Sequence, residues 1–367
     1  MRTTVIIFIA AFFCFDSHAQ FASEIFEIPE VSPKSSIAQR IGVTEVTIEY
    51  SRPAVRGRKI WNTFIVPFDG SPYPWRAGAN ENTTITFSND LKVDGKDISA
   101  GTYGVHVLPS GKGDWTIAIS KSSKAWGSFS YKAEDDVLRI SAKIDSIPHQ
   151  EWLRYDFIEA KNTSAGSSAK VVLEWERIRI SILIEEDTKK YVLDGIRNKL
   201  TGLGGFSWIT WCLAAEYCST NDFNLEEALT WAERSVNSGM NFRNVNVKAN
   251  ILEQLGKSER ANQTRQLAMQ IANPTELYQA GRSELRKSTE KAMEYFQLNL
   301  KKNGEGLWMV TDGLARGYSK MADYKKALKY AKLALTNAPS ENSRKFWEGA
   351  VKKLEQNKPI EEIRIGG

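Results

Sequence analysis

The chain has 367 residues, a formal net charge of +5, 42% hydrophobic and 25% charged residues, and only three cysteines and three histidines. Its length is a prior for two domains, and so few Cys and His argue against a disulfide-stapled fold or a zinc centre built from clustered ligands. Charge is uneven: residues 24–187 hold 20 Lys and Arg against 23 Asp and Glu, whereas residues 188–367 hold 28 against 20. The basic charges of the second half are dispersed, which reads as a solvated surface, with an acidic partner as the second reading.

The N-terminus reads as an export signal. Arg2 gives a short positive segment, Val5 to Phe13 is nearly unbroken apolar sequence, and Ser17-His18-Ala19 places small residues for cleavage before Gln20. The apolar run is too short to span a bilayer, and no later run is long enough. Residues 1–19 are therefore expected to be removed and the protein to reside in the periplasm or to be secreted. Phe13, before Cys14, argues against a lipoprotein signal.

From residue 24 to 187 period-two alternation recurs. Val46, Ile48 and Tyr50 share one face; so do Tyr103, Val105 and Val107, and Trp115, Ile117 and Ile119. Leu138, Ile140, Ala142 and Ile144 follow, and Ile178, Ile180, Ile182 and Ile184 close the series, with further strands at 83–87, 152–160 and 170–175. Asp94-Gly95, the 109–113 segment and the Asn- and Ser-rich 161–168 segment supply turns. Many short strands without intervening helices predict an antiparallel β-sandwich or barrel-like domain and exclude a dinucleotide-binding βαβ fold.

Residues 50–82 break the pattern with Arg, Pro and aromatic residues in an irregular stretch. Loops on a sandwich are where binding groups usually sit. Trp61, Trp75 and Trp126 are candidate stacking platforms, and Arg52, Arg58, Arg76, Asn80 and Glu81 are candidate hydrogen-bonding or ion-pairing groups for a small-molecule or glycan ligand. The competing reading is structural: tryptophans pin a long loop to its sheet and arginines satisfy buried carbonyls.

Several motifs fall in a recognisable order. They are Tyr50-Ser51-Arg52-Pro53, Gly57-Arg58-Lys59-Ile60-Trp61, the Trp75 to Thr83 run, and Ile85-Thr86-Phe87-Ser88. Gly95-Lys96, Ala100-Gly101-Thr102-Tyr103, Trp115-Thr116-Ile117 and Trp126-Gly127 continue the series. Over residues 33–180 the chain resembles an exported bacterial family catalogued as domain of unknown function 2911. The resemblance implies no activity, ligand or site residues. It does imply a domain boundary near 185, since some members carry helical repeats after it.

Beyond residue 188 the period becomes 3.6. Val192, Ile196 and Leu200 define a first helix, Phe206 to Tyr217 reads as helical, and Asn224-Leu225-Glu226-Glu227 reads as a capping box. Residues 308–341 resemble a tetratricopeptide repeat, with Leu314, Ala315 and Tyr318 in its first helix, Tyr324, Ala327, Ala331 and Ala334 in its second, and Pro339 closing it. Anchoring alanines recur at Ala228, Ala261, Ala292 and Ala327, at intervals of 33, 31 and 35 residues. Helical hairpin repeats are thus expected over 188–356, with 357–367 a flexible tail. Such arrays present a concave surface to protein segments, and Trp308, Asp312 and Arg316 are the candidates for that surface. Cys212 and Cys218, six residues apart on one helix, lie about 240° apart around its axis and read as buried fillers.

Motifs for chemistry do not emerge. The Gly205 to Ile209 segment lacks the final glycine of a nucleophile elbow, Glu134-Asp135-Asp136 reads as a solvated turn, and His106 and His149 show no sequence partner. No cofactor, metal site or nucleic-acid face is expected. The leading reading is a non-enzymatic interaction protein, its repeats holding a protein partner and its β-domain a small or glycan ligand. The alternative is a cell-envelope carbohydrate hydrolase using the 52–82 loop, with carboxylates drawn from Glu81, Asp90, Asp156 and Glu174.

Overall fold

The computed structural model describes residues 29–361; the expected export signal lies outside them. Two compact units divide at Gly195/Ile196.

The first unit is a two-sheet antiparallel sandwich. One sheet has the order β1-β2-β3-β6-β7-β8, formed by Lys34–Ile41, Thr44–Ser51, Thr84–Phe87, Gly101–Leu108, Trp115–Ser120 and Asp136–Ala142. The other has the order β5-β4-β10-β9, from Lys96–Ile98, Leu91–Val93, Ser167–Glu186 and Ile144–Asn162. The residues whose alternation defines the strands meet in register. Ile48 lies opposite Ile85, and Val107 opposite Ile117, which in turn faces Ile140. Their shared inner face closes on Leu153, Val171, Leu173, Ile180 and Ile182 from the second sheet, so each strand buries one side of its period-two pattern.

Two segments differ from the sequence reading. Ile144 belongs to β9, not to the strand of Ile140, and is exposed. The segments 170–175 and 178–184 are one strand, β10, interrupted by bulges around Glu176. Glu176 has φ +55°. Before it the inward residues are odd-numbered (Val171, Leu173, Trp175); after it they are even-numbered (Ile180, Ile182, Ile184). The left-handed backbone at Glu176 changes which side chains of β10 face the core, while β9 takes up the extra residues of each bulge, and that is why a fixed period-two reading sees two strands.

Ten α-helices occur among the described residues: α1 Thr188–Thr201, α2 Trp208–Thr220, α3 Leu225–Ser238, α4 Phe242–Gln254, α5 Ser258–Ile271, α6 Pro274–Glu284, α7 Thr289–Asn303, α8 Trp308–Lys320, α9 Tyr324–Thr336 and α10 Glu341–Glu355. Consecutive helices pair as hairpins (α2 with α3, α4 with α5, α6 with α7, α8 with α9), and α10 packs on α9. First helices also touch the next first helix, α2 with α4 and α6 with α8. This is a stacked repeat array, consistent with the tetratricopeptide-like pattern. The four anchoring alanines, Ala228, Ala261, Ala292 and Ala327, all lie in second helices and all have 0% exposure. Close approach extends to Gly281 on α6 and Gly313 on α8, where a Cβ would collide with the Phe296 ring of α7.

The helix ends depart from expectation. Asn224 sits in the left-handed region at φ 53° and caps nothing with its side chain; its amide instead donates to Glu227, which pairs with Arg197. Reciprocal capping boxes form at Asn241/Asn244 and Asn273/Glu276. Cys212 and Cys218 are buried, free thiols, pushed up to about 11 by burial.

Candidate functional site

The 52–82 segment is irregular, and the eight residues singled out in and beside it divide into two groups. Trp61 and Trp75 turn inward. Their rings stand 5.8 Å apart, Trp61 lies 5.0 Å from Trp115 and 5.9 Å from Trp175, and Trp75 stacks on Trp175 at 5.7 Å. Trp75 Nε1 donates to Gly78 O and Trp61 Nε1 to Glu176 Oε2. These indoles fasten the loop to the core, Trp75 buried and Trp61 partly exposed. Arg58 donates to the carbonyls of Ala54 and Val55, Arg52 to Leu153 O, and Asn80 to Ser32 O. Burying apolar rings and satisfying loop carbonyls are the same task, since a long loop must find partners for its backbone.

Arg76, Glu81 and Trp126 remain at the surface. Glu81 pairs with Lys34 at 3.1 Å and bridges through its backbone to Trp126. The Arg76 guanidinium lies over the Trp126 ring, 5.4 Å from its centroid. Trp126, 49% exposed, stacks on Phe129, and Phe129 meets Tyr73 edge-on at 5.1 Å. Gly127 permits this: its φ is +73°, and a Cβ there would lie 3.0 Å from the Phe129 ring and 3.3 Å from Arg76.

Arg76 also borders an open groove of about 560 Å³ lined by Phe64, Pro67, Pro72, Tyr73, Ser128 and Phe129 among others. Arg76 Nε is buried without a hydrogen-bond partner, and among the described residues the guanidinium makes no salt bridge. Burial pulls its pKa down, with the Glu81 charge opposing. A cation so placed has lost water and feels the charge of Glu81, itself paired with Lys34, without a salt bridge of its own; a bound carboxylate, sulfate or phosphate would supply one. Tyr73 and Phe129 were not singled out in the sequence. Their signal was adjacency, in Pro72-Tyr73-Pro74-Trp75 and in Trp126-Gly127-Ser128-Phe129.

Beneath the same segment lies His106, 1% exposed, with Nδ1 3.0 Å from Ser128 Oγ and no partner at Nε2. It is a buried histidine whose partner comes from 22 residues away. Tyr131 packs on its ring, and the Tyr131 hydroxyl donates to Asp136, which also holds Arg139. The acidic turn at 134–136 thus contributes one carboxylate, Asp136, to a network at the edge of the core that ends on the exposed Arg139. Burial holds His106 down to about 4, against the Asp136 charge. An unfolded histidine titrates near ~6.5, so as pH falls the unfolded chain takes up a proton before the folded one. Stability is therefore expected to drop by about 2–3 kcal/mol between pH 7 and pH 4.5. His106→Gln should remove that part of the decline in urea midpoints; an unchanged decline would place the acid sensitivity elsewhere.

Each carboxylate considered for hydrolysis has a partner of its own. Glu174 is held by Arg154 and Arg179, Asp90 accepts from Ala100 N, Asp156 from Phe157 N, and Glu81 pairs with Lys34. His149 pairs with Glu151 at 3.0 Å.

In the helical unit, Trp308, Asp312 and Arg316 are not the exposed surface expected of them. Asp312 is 0% and Arg316 8% exposed, and Trp308 packs against Tyr278. Asp312 Oδ2 accepts from Tyr278 OH at 2.9 Å and Arg316 Nε at 2.8 Å, with Arg282 at 3.5 Å. Arg316 in turn lies over Phe346 and Trp347. The three residues join neighbouring helices together.

Residues 32–184 match the model of a family described as protein of unknown function (DUF2911), so the sandwich is a domain of that family. No curated protein matches the chain.

Proposed function

We propose that this chain, a DUF2911 domain joined to a helical repeat array, is an exported binding protein. Its sandwich takes an anionic ligand in the Arg76 groove, and its helical array serves as a protein-interaction scaffold. The observation that carries the reading is Arg76 itself, a half-buried guanidinium without a salt bridge, its Nε unpartnered, beside exposed Trp126, Phe129 and Tyr73. A ligand with an acidic group next to a flat apolar or sugar face matches that arrangement, as in uronate-bearing, sialylated or sulfated glycans. The N-terminal sequence supports export to the periplasm or beyond.

The test is a glycan array on the purified protein, followed by titration of any retained glycan. Acidic glycans should be retained over their neutral counterparts, and Arg76→Gln should weaken them about tenfold or more, the loss of one charge-assisted contact. Trp126→Ala should weaken the same ligands less. Binding indifferent to both substitutions, or no preference for acidic glycans, would overturn the assignment.

A further inference from the structure

One segment seated on the helical array is not a helix of it. After α10 the chain turns at Asn357, with φ +55°, and runs on through Lys358, Pro359, Ile360 and Glu361. The Ile360 N–H donates to Ser319 Oγ of α8 at 2.9 Å, and Ser319 is buried. The Ile360 side chain packs against the apolar cluster that contains Trp347, Ala350 and Leu354. Glu361 pairs with Lys353 at 3.0 Å. Ile360, Glu361 and Lys353 line a groove of about 360 Å³ with Phe346, Gly349 and Ala350. A Cβ at Gly349 would meet nothing within 4 Å, so the groove is open on that side.

We propose that the seat of Pro359-Ile360-Glu361 on α8 and α10, together with the open groove beside it, is a peptide-docking site, and that this tail segment is the resident of the seat. The partner is an extended peptide with an aliphatic residue followed by an acidic one, which displaces the tail. The inference deepens the scaffold reading of the helical half and rests on it. The contacts of the tail define the chemistry: a main-chain N–H for Ser319, an aliphatic side chain for the cluster, a carboxylate for Lys353. Each is of a kind that a foreign peptide can reproduce. The resident is lightly held, since the Glu361 and Lys353 side chains are 82% and 42% exposed and such pairs contribute little. Its advantage is covalent attachment, which gives it a high effective concentration. A free peptide therefore sees only the fraction of molecules whose seat is vacant.

The test uses a fluorescent peptide of the sequence of residues 357–364 and fluorescence anisotropy on the full chain. Ile360→Asp should vacate the seat and bind the peptide about tenfold tighter than the wild type. A peptide with Asp at the isoleucine position should not bind either protein, and Lys353→Glu combined with Ile360→Asp should abolish the gain. Ile360 lies outside the helices, so thermal melts should show the variant folded. If folded Ile360→Asp binds no better than wild type, the docking site is overturned. The scaffold reading is judged apart from it, by whether crosslinking in the cell envelope captures a protein that Ile360→Asp and Lys353→Glu leave unchanged. That result would retain the scaffold and also overturn this groove as its docking site.

Discussion

Asp312→Ala is expected to destabilise the helical array by about 3–5 kcal/mol, the range for removing one partner from a buried ionic network. One oxygen of Asp312 collects Tyr278 and Arg282 from α6 and Arg316 from its own helix. Without it the guanidinium of Arg316, sandwiched against Phe346 and Trp347, loses the charge that justified its burial. Asp312→Asn keeps the shape and one acceptor and should cost less. It should also act on Tyr278, whose hydroxyl is pushed up to about 12 by burial first and then by the Asp312 charge. In Asp312→Asn the charge is gone and the burial stays, so the phenol should titrate lower than in the wild type, read by NMR of labelled tyrosine. A cost below about 1 kcal/mol for the alanine variant, the range of an exposed pair, would show the network to be incidental.

Trp175→Ala is the second large effect. Trp175 is 1% exposed and stacks on Trp75 while meeting Trp61 edge-on, so it is the sheet-side anchor for both loop indoles. Removing a buried indole costs about 3–5 kcal/mol, which for a domain of this size lowers Tm by about 10 °C. The loss should be local as well. Trypsin should cut sooner at Arg56, Arg58 and Lys59, which lie in the segment those indoles fasten. Trp175→Phe should be milder, because the Trp175 Nε1 is buried without a hydrogen-bond partner and its loss removes no bond. Equal costs for Phe and Ala, or no gain in trypsin sensitivity, would mean that the loop is held by other contacts. Tyr155 OH to Ala77 O would then be the first to examine.

The two halves were legible in the sequence to different depths. Period-two alternation identified the inward residues of β2, β6 and β7 because one sheet face is buried and the pattern has to follow it. The recurring alanines identified the second helices, since only a small side chain lets two helices approach closely at those points. Where the pattern shifted within an element, as at the Glu176 bulge, a fixed period could not follow it. The candidate site was legible by composition but not by role. The segment 50–82 is dense in Trp and Arg, yet sequence could not divide Trp61 and Trp75, which face the core, from Trp126, which faces solvent.

That division belongs to tertiary structure, for a physical reason. Whether an aromatic ring in a loop is an anchor or a platform depends on what stands opposite it, and Trp115 and Trp175 arrive from other strands. Likewise Asp312 and Arg316 occupy positions that an isolated hairpin would leave in water. Tyr278 and Arg282 come from α6, and Phe346 and Trp347 from α10, and only the stacking of those helices on α8 buries them. By itself the sequence determined strands, helices, the change of period after residue 187 and the repeat, all properties of near neighbours in the chain. The fate of each charged or aromatic side chain was decided by partners tens of residues away.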